Sequence, residues 1–196
     1  MKTDIILAGV GGQVILSIAT IIGADALNEN LYLKQAEVHG MSQRGGDVQS
    51  NLRISSDPIA SDLIPLGGAD IIISLEPMEA LRYLPYLSKE GWIVTNTTPF
   101  VNIPDYPEMD KISEDLDRVK HVVAFDMDAV AKEAATARAS NMVLLGAAAP
   151  FVGLEPSKLE EGIRIIFGRK GEAIVESNLK AFRAGLEKAN EIKKSK

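Results

Sequence analysis

Residues 4–13 read Asp-Ile-Ile-Leu-Ala-Gly-Val-Gly-Gly-Gln, and residues 14–27 behind them are apolar around most of a helix. The quoted stretch starts as a short apolar run that ends in glycines, which is typical of a buried strand. The longer apolar run predicts a buried helix, and the glycines between the two predict a tight turn. Strand, glycine turn and buried helix therefore open the chain, as they do in α/β proteins.

The rest of the chain continues this alternation. Residues 31–38 and 47–54 alternate apolar and polar side chains, so we predict two strands that pair in antiparallel fashion. Further strands are predicted at 69–74, 91–95 and 121–125. Helices are predicted from Glu76-Pro77, at 107–120, and from about 127 to 196 with breaks near 139, 153–156 and 168–171. This order predicts a single domain, residues 1–196, folded as a three-layer α/β/α sandwich with a mostly parallel sheet and a helical C-terminal part.

Composition argues against several classes of function. The formal net charge is -6 and no basic stripe is interleaved with aromatic residues, so nucleic acid is not an expected partner. The chain has no cysteine, which excludes disulfides, thiolate metal sites and cysteine-ligated iron–sulfur clusters on this polypeptide. The apolar tracts at 14–27 and 142–154 are interrupted or too short to cross a bilayer, and the first residues lack a signal-peptide pattern. We expect a cytoplasmic protein that does not bind membranes.

The segment between the two antiparallel strands is the most unusual in the chain. It reads His39-Gly40-Met41-Ser42-Gln43-Arg44-Gly45-Gly46 and combines a histidine, an amide, a guanidinium and three glycines. Glycine lets a ligand or another backbone approach closely, and the planar arginine side chain suits a carboxylate or a phosphate. The segment therefore predicts a functional loop. The alternative is a glycine-rich hairpin with a surface arginine.

The first glycine turn supports two interpretations. Gly9, Gly11 and Gly12 follow a strand and precede a helix, where backbone N–H groups and the helix dipole can bind the phosphates of a dinucleotide. Glu37, at the end of the second strand, could then bind the ribose. The third glycine of that fingerprint would fall at Val14, so the motif is incomplete. The alternative is a tight turn in which glycine permits close packing of the strand and the helix.

Other polar residues give weaker signals. His39 and His121 have no ligand partner at metal-binding spacing, so no metal site is predicted. Ser42 does not lie in a nucleophile elbow, which disfavours a hydrolase. Glu76 and Asn96 follow predicted strand ends, where open α/β sheets bind their ligands, so both are candidate binding residues. The alternatives are an acidic residue at a helix start and a polar turn.

Several motifs taken together resemble one family. They are Gly9-Val10-Gly11-Gly12-Gln13, the segment 39–46 followed by Val48 and Arg53, and Ala69-Asp70 leading to Glu76-Pro77 and Glu79-Ala80. The similarity continues through residues 141–146 and 178–185, so it covers nearly the whole chain. The combination resembles the gamma-type domain of 2-oxoacid:ferredoxin oxidoreductases, also called the pyruvate/ketoisovalerate oxidoreductase gamma-type domain. One position departs from the family pattern, because Val14 stands where members usually have glycine.

The resemblance implies a subunit of an enzyme that oxidatively decarboxylates a 2-oxoacid such as indolepyruvate or another arylpyruvate, in amino-acid catabolism. The products would be an acyl-CoA and electrons that pass to ferredoxin. In the family, thiamine diphosphate, Mg²⁺ and the iron–sulfur clusters belong to a large alpha subunit, and the complex also uses coenzyme A. The resemblance therefore implies that this chain alone binds no cofactor, is inactive without its partner, and is a monomer or a homodimer when isolated.

The resemblance also implies roles for individual residues. His39, Gln43 and Arg44 would project from the loop towards the shared active site, where the guanidinium would hold a substrate carboxylate or a coenzyme A phosphate. The candidate cofactor-binding residues are Gly11, Gly12, Gln13, Gly40, Gly45, Gly46, Glu76 and Asn96. Two rival functions stay open: an independent nucleotide-binding oxidoreductase, and a noncatalytic scaffold or regulatory protein whose loop docks a partner.

Overall fold

The computed structural model describes residues 1–13, 15–39 and 45–194, with the backbone but not the side chain of His39. Within these ranges six strands form one sheet. The strands are β1 (Lys2–Val10), β2 (Tyr32–His39), β3 (Asp47–Ser55), β4 (Ala69–Ser74), β5 (Leu87–Asn96) and β6 (Val122–Phe125). The strand predicted at 91–95 starts earlier, because Leu87 already pairs with Ala69 of β4. The prediction missed this start because Lys89 and Glu90, which precede the apolar residues of the strand, are exposed and charged.

The helices follow the predicted order along the chain. They are α1 (Leu16–Asn28), α2 (Pro77–Arg82), α3 (Met109–Asp117), α4 (Met127–Ala134), α5 (Ser140–Ala148), α6 (Pro156–Phe167) and α7 (Glu172–Lys194). Helix α3 is shorter than the predicted 107–120, since Glu108 is its N-cap and the last turn ends at Arg118. No helix in the described ranges is long and apolar enough to cross a membrane.

The sheet order is β2-β3-β1-β4-β5-β6. β1, β4, β5 and β6 are parallel neighbours in the sheet. β3 runs antiparallel to both β1 and β2, so it is the one strand of this sheet with the opposite direction. The predicted antiparallel pair and the mostly parallel sheet are both confirmed. Because four neighbouring strands run the same way, their carboxyl ends meet at one edge, where α/β sheets form ligand clefts.

Helices cover both faces of the sheet. Ile71 and Ile73 of β4 face a core shared with α1 and with the C-terminal helices α4 to α7, whereas Ile72 faces a second core shared with α2 and α3. Successive strand residues point to opposite faces, which is why consecutive isoleucines can serve two cores. The predicted three-layer sandwich is confirmed, and the helical C-terminal part forms most of one layer.

Two glycines let α5 and α7 touch backbone to backbone. A Cβ on Gly146 would lie 1.9 Å from the carbonyl oxygen of Phe182, and a Cβ on Gly185 would lie 2.0 Å from the carbonyl oxygen of Val143. Neither position has room for any side chain, because the obstacle is backbone and cannot rotate away. Both glycines belong to the stretches 141–146 and 178–185 that carried the resemblance, so packing explains that part of the motif.

The amino end of the sheet is closed by an ion pair. Arg53 donates from Nε to Asp4 Oδ1 at 2.7 Å and from Nη2 to Asp4 Oδ2 at 3.0 Å. It also donates to the carbonyl oxygens of Ser61 and Leu63, both at 3.0 Å. Burial alone would raise the pKa of Asp4, but the hydrogen bonds from Arg53 and Lys2 outweigh it and hold that pKa below its ordinary value. Arg53, another residue of the resemblance, therefore has a structural role at this end.

One carboxylate in the helical layer is poorly compensated. Asp25 of α1 is only 2% exposed, and its Oδ2 has no hydrogen-bond partner among the described residues. Burial, followed by repulsion from Glu29, raises the pKa of Asp25 to about 6, while Lys158 acts in the opposite direction. Asp25 therefore costs stability in its ionised form.

Candidate functional site

A cleft of about 520 Å³ opens at the carboxyl edge of the parallel strands. It collects residues from the ends of β1, β4 and β5 and from the start of α5. The lining residues are Gly12, Gln13, Leu75, Asn96, Thr98, Pro99, Phe100, Asp128, Ala137, Arg138, Ser140 and Asn141. Three residues predicted as binding residues, Gly12, Gln13 and Asn96, are therefore brought together although they are far apart in the sequence.

The two glycine segments meet beside this cleft. Gly11 donates from its N–H to the carbonyl oxygen of Gly46 at 2.8 Å, and Gly45 donates to the carbonyl oxygen of Gly11 at 3.3 Å. These bonds extend the β1–β3 pairing beyond the ends of the strands. Gly12 follows with a φ of +103°, and a Cβ on this residue would meet no atom of the described residues within 4 Å. Within that part of the chain, the backbone of the turn is therefore uncovered.

Gln13 bridges two strand ends. Its Oε1 accepts a hydrogen bond from the N–H of Val10 at 2.8 Å, and its Nε2 donates to the carbonyl oxygen of Leu75 at 3.2 Å. The amide thus satisfies backbone groups that the end of a strand leaves open. Gln13 lines the cleft, but its polar atoms stabilise the wall.

Asn96 plays a similar part at the end of β5. Its Nδ2 donates to Asp128 Oδ2 at 2.9 Å, and its Oδ1 accepts from the N–H groups of Met127 at 2.9 Å and Thr98 at 3.3 Å. Asp128 also accepts from the hydroxyl of Ser140. This network joins β5, α4 and α5 around the cleft, and it explains why a buried amide is tolerated there.

Glu76 does not line the cleft. The side chain is fully buried, and its Oε2 accepts from the N–H of Glu79 at 2.8 Å as the N-cap of α2. Its Oε1 accepts from the hydroxyl of Tyr106 and from the N–H of Phe100 at 3.3 Å. The candidate binding residue therefore holds the connection between β5 and α3, residues 97–108, beside the cleft wall.

A second buried group ties the start of β3 to α2. The hydroxyl of Tyr83 donates to Asp47, at 2.9 Å to Oδ2 and 3.1 Å to Oδ1. Burial and then this hydrogen bond raise the pKa of Tyr83 well above its ordinary value, so the hydroxyl stays a donor. Burial likewise raises the pKa of Glu79, although Arg82 pairs with it at 2.7 Å. The chain that leaves the 39–46 segment is thus fixed at Asp47.

The residues missed by sequence reasoning come from the start of α5. Arg138 lines the cleft with an exposed side chain that has no ion-pair or hydrogen-bond partner among the described residues. Ser140 and Asn141 lie in the first turn of α5, where helix N–H groups favour an anion. No local pattern links Arg138 to the glycine turn, because only the packing of α5 against the sheet places them on one cleft. The combination of Gly12, Arg138 and the α5 N-terminus is suited to binding an anionic group.

The predicted loop residues stay predictions. Gly40, Gln43 and Arg44 lie outside the described residues, as do Val14 and the side chain of His39. The flanking backbone is described: His39 pairs with Val48 in the β2–β3 ladder, and Gly45 contacts Gly11. Both ends of the segment therefore lie at the carboxyl edge, next to the cleft.

The described residues offer no evident metal centre. In ranges 1–13, 15–39 and 45–194, no group of three His, Cys, Asp or Glu side chains is placed to hold a metal ion. Asp128 is the acidic residue of the cleft, and Asn96 and Ser140 occupy its oxygens. The described cleft therefore combines one guanidinium, Arg138, with the carboxylate of Asp128 and with polar side chains that are bonded within the wall.

Comparison with known proteins points to one family. The sequence profile described as pyruvate ferredoxin/flavodoxin oxidoreductase matches residues 4–188. The indolepyruvate oxidoreductase subunit IorB of Thermococcus kodakarensis is 38% identical over 200 residues, which cover 96% of this chain and 96% of that protein.

Solved structures show the same fold. The gamma subunit of a keto/oxoacid ferredoxin oxidoreductase from Geobacter sulfurreducens superposes with a TM-score of 0.70 at 25% identity, over 96% of this chain and 99% of that one. The 2-oxoglutarate:ferredoxin oxidoreductase of Magnetococcus marinus, with 2-oxoglutarate, coenzyme A and succinyl-CoA bound, superposes with a TM-score of 0.76 at 23% identity. That match covers 97% of this chain but only 31% of the longer one.

Proposed function

The chain belongs to the pyruvate ferredoxin/flavodoxin oxidoreductase family, and from this premise we propose that it serves an enzyme complex that oxidises indolepyruvate or a related arylpyruvate. It is a subunit of an oxidoreductase that acts on 2-oxoacids with ferredoxin. In the proposed reaction the oxoacid loses CO₂, its acyl group is transferred to the thiol of coenzyme A, and two electrons pass to ferredoxin. Arylpyruvates arise when aromatic amino acids lose their amino group, so the reaction belongs to amino-acid catabolism.

The redox chemistry in this proposal belongs to a large partner subunit. Thiamine diphosphate with Mg²⁺ supplies the carbanion chemistry of decarboxylation, and iron–sulfur clusters carry the electrons. This chain has no cysteine to ligate such clusters. Its part is to bind and orient an anionic group next to the partner's reaction centre. We expect the complex in the cytoplasm, since a free coenzyme A thiol and iron–sulfur clusters need a reducing compartment.

The observation that carries the proposal is the cleft that joins the glycine turn, Arg138 and the start of α5. The open backbone at Gly12 admits a phosphate, the helix N-terminus favours negative charge, and the guanidinium forms charge-assisted hydrogen bonds. We assign this cleft to the phosphate groups of coenzyme A. We also propose Arg44, from the segment 39–46, as a second guanidinium for a phosphate or for the substrate carboxylate.

The test is steady-state kinetics of the complete complex. Reduction of ferredoxin is followed with indolepyruvate and coenzyme A, with pyruvate and 2-oxoglutarate as competing substrates. Loss of one charged hydrogen bond weakens binding by about 1.5–3 kcal/mol, which is about 10- to 100-fold. We therefore expect Arg138→Ala to raise the KM for coenzyme A at least 10-fold while the KM for indolepyruvate changes little. Arg44→Ala should raise the KM for coenzyme A or lower turnover.

The matched control is Arg164→Ala, because Arg164 lies on α6 and pairs with Glu176 at 3.2 Å, away from the cleft. The control should leave both KM values unchanged. Wild-type kinetics for Arg138→Ala and Arg44→Ala in an intact complex would remove the assignment of the cleft. Oxidation of an oxoacid by the isolated chain, or preference for pyruvate over every arylpyruvate, would remove the proposed division of labour or the proposed substrate.

A further inference from the structure

The connection between β5 and α3 exposes a group of large apolar side chains. Phe100 is 43% exposed, Val101 is 68% exposed and Ile103 is 39% exposed. Phe100 also lines the cleft. Exposed apolar residues are common singly, but here three lie within four positions of one connection, and such a concentration of exposed apolar side chains marks an interaction surface. We call Phe100, Val101 and Ile103 the apolar patch.

The buried carboxylate of Glu76 anchors the connection that carries the apolar patch. A buried carboxylate needs donors, and this one takes two of its three from the connection: the hydroxyl of Tyr106 and the N–H of Phe100. Burial and then the hydrogen bond to Glu76 raise the pKa of Tyr106 far above its ordinary value, so the hydroxyl remains protonated and donates. The two anchors lie on either side of Val101 and Ile103.

The same connection is tied to the glycine segments. Asn102 donates from Nδ2 to the carbonyl oxygen of Gly45 at 2.7 Å, and Gly45 in turn donates to Gly11 at 3.3 Å. At the base of the connection, Thr97 donates from its N–H to the carbonyl oxygen of Phe125 at 3.1 Å. The apolar patch is therefore presented by an ordered backbone directly beside the cleft.

We propose that Phe100, Val101 and Ile103 dock on the cofactor-bearing subunit of the complex, and that Glu76 is a positioning residue that holds them in the docking conformation. The inference rests on the proposed function and names the surface through which the partner is engaged. A preformed backbone lowers the ordering cost of binding, so a buried anchor under exposed apolar groups is what an interface needs.

Two observations indicate that the cofactor-bearing subunit is the protein that covers the apolar patch: the position of the cleft and the architecture of the Magnetococcus marinus enzyme. The cleft must face the partner if the two share one reaction centre, and the apolar patch adjoins it. In that enzyme the fold of this chain makes up 31% of one polypeptide, so the equivalent domain is covalently joined to further parts of the enzyme. A separate chain with the same fold has no such covalent link, so it must associate with the other parts of the enzyme through a noncovalent interface.

The test compares two exposed apolar sites at opposite ends of the sheet. The double variant Val101→Asp/Ile103→Asp places charges in the apolar patch. The matched control is Leu66→Asp, because Leu66 is 70% exposed and lies in the turn before β4, at the amino end. The probe is the purified large subunit whose thiamine diphosphate and iron–sulfur content has been measured. Its Kd for the immobilised chain is determined for each variant.

We expect the double variant to raise the Kd at least 100-fold, and Leu66→Asp to change it less than 3-fold. An unchanged Kd for the double variant, with wild-type binding intact, would overturn the docking surface and leave the proposed function standing. Failure of the wild-type chain to bind the subunit would overturn the proposed function as well. A double variant that dissociates a homodimer of this chain, yet still binds the subunit, would overturn the docking proposal and identify the apolar patch as a self-association surface.

The positioning role of Glu76 has its own test. Tyr106→Phe removes the hydroxyl that Glu76 accepts from and leaves the apolar patch itself intact. We expect the Kd for the subunit to rise about 10-fold at a temperature where the variant is fully folded. A structural role alone would lower the melting temperature without changing that Kd. Val101→Leu, which keeps the apolar surface, should bind as the wild type does.

Discussion

Glycine serves two regions of this molecule in different ways. Where α5 crosses α7, a Cβ on Gly146 would lie 1.9 Å from backbone, so the helices require glycine to pack. At the cleft, a Cβ on Gly12 would meet no described residue within 4 Å, and the φ of +103° is what favours glycine there. At the crossing, glycine allows two helix backbones to touch, whereas at the cleft it allows a backbone conformation with positive φ. A glycine in a family motif can therefore indicate either close packing or a special turn.

The largest expected effect is at the crossing. Gly146→Ala places a methyl group against the carbonyl oxygen of Phe182, so α5 and α7 must separate. Overpacking costs about 1–3 kcal/mol of unfolding free energy, and we expect the upper end, about 3 kcal/mol, because the obstacle is backbone. Urea denaturation measures the loss. Gly168→Ala is the control, since a Cβ on Gly168 would meet no described residue within 4 Å and the backbone there has no positive φ. It should change stability by less than about 0.5 kcal/mol. Equal effects of the two variants would contradict the packing argument.

The second largest effect is expected at Asp25 in the same helical layer, where a substitution should increase the free energy of unfolding. Because the folded pKa of about 6 lies above the reference value of 3.8, the folded state binds the proton more tightly. The penalty for the ionised carboxylate is absent below about pH 4, grows between pH 4 and 6, and is complete above pH 6. Asp25→Asn should raise stability at pH 8 by up to about 3 kcal/mol.

Thermal unfolding at pH 4 and pH 8 measures this difference. The gain from Asp25→Asn should shrink towards zero at pH 4. Glu29→Gln is the control, because the Glu29 side chain is exposed and raises the pKa of Asp25 by charge repulsion without being buried beside it. A gain that is equal at both pH values would show that packing or polarity, and not ionisation, is responsible.

A smaller effect on stability is expected at the cleft. Gly12→Ala forces a residue with a Cβ into a left-handed conformation, which costs about 1 kcal/mol. No clash with the described residues adds to this cost. The functional effect should be larger, since the added methyl group occupies the space proposed for a phosphate. Stability by urea denaturation and the KM for coenzyme A separate the two, and an unchanged KM would argue that no ligand approaches this turn.

The smallest effect is expected at Asn102. Asn102→Ala removes its hydrogen bond to Gly45 but also removes Oδ1, which is buried without a partner among the described residues. A net hydrogen bond contributes about 1 kcal/mol and a buried unsatisfied atom costs a similar amount, so stability should change by less than about 0.5 kcal/mol. Hydrogen exchange at the N–H of Gly45 should nevertheless become faster. Unchanged exchange would show that Asn102 does not hold the glycine segment.

Much of the fold follows from short-range pattern. The apolar run at 4–8, the glycines after it and the apolar stretch behind them predict β1, a turn and α1, and the alternation at 31–38 and 47–54 predicts the hairpin. These predictions succeed because the repeats of strands and helices are visible within a few residues. Of the candidate binding residues, Gly12, Gln13 and Asn96 line the cleft, whereas Glu76 is buried and anchors the connection between β5 and α3. Their role in binding stays a prediction.

By itself, then, the sequence determined the order of strands and helices, the absence of thiol chemistry and the position of two glycine segments. Only the tertiary structure decided that Arg138 joins Gly12 on one cleft, that Gly146 and Gly185 are packing residues, and that the Glu76 carboxylate acts as an internal anchor. The physical reason is that local periodicity depends on neighbours along the chain. Clefts, close helix crossings and buried charges depend instead on residues that meet only after the layers pack.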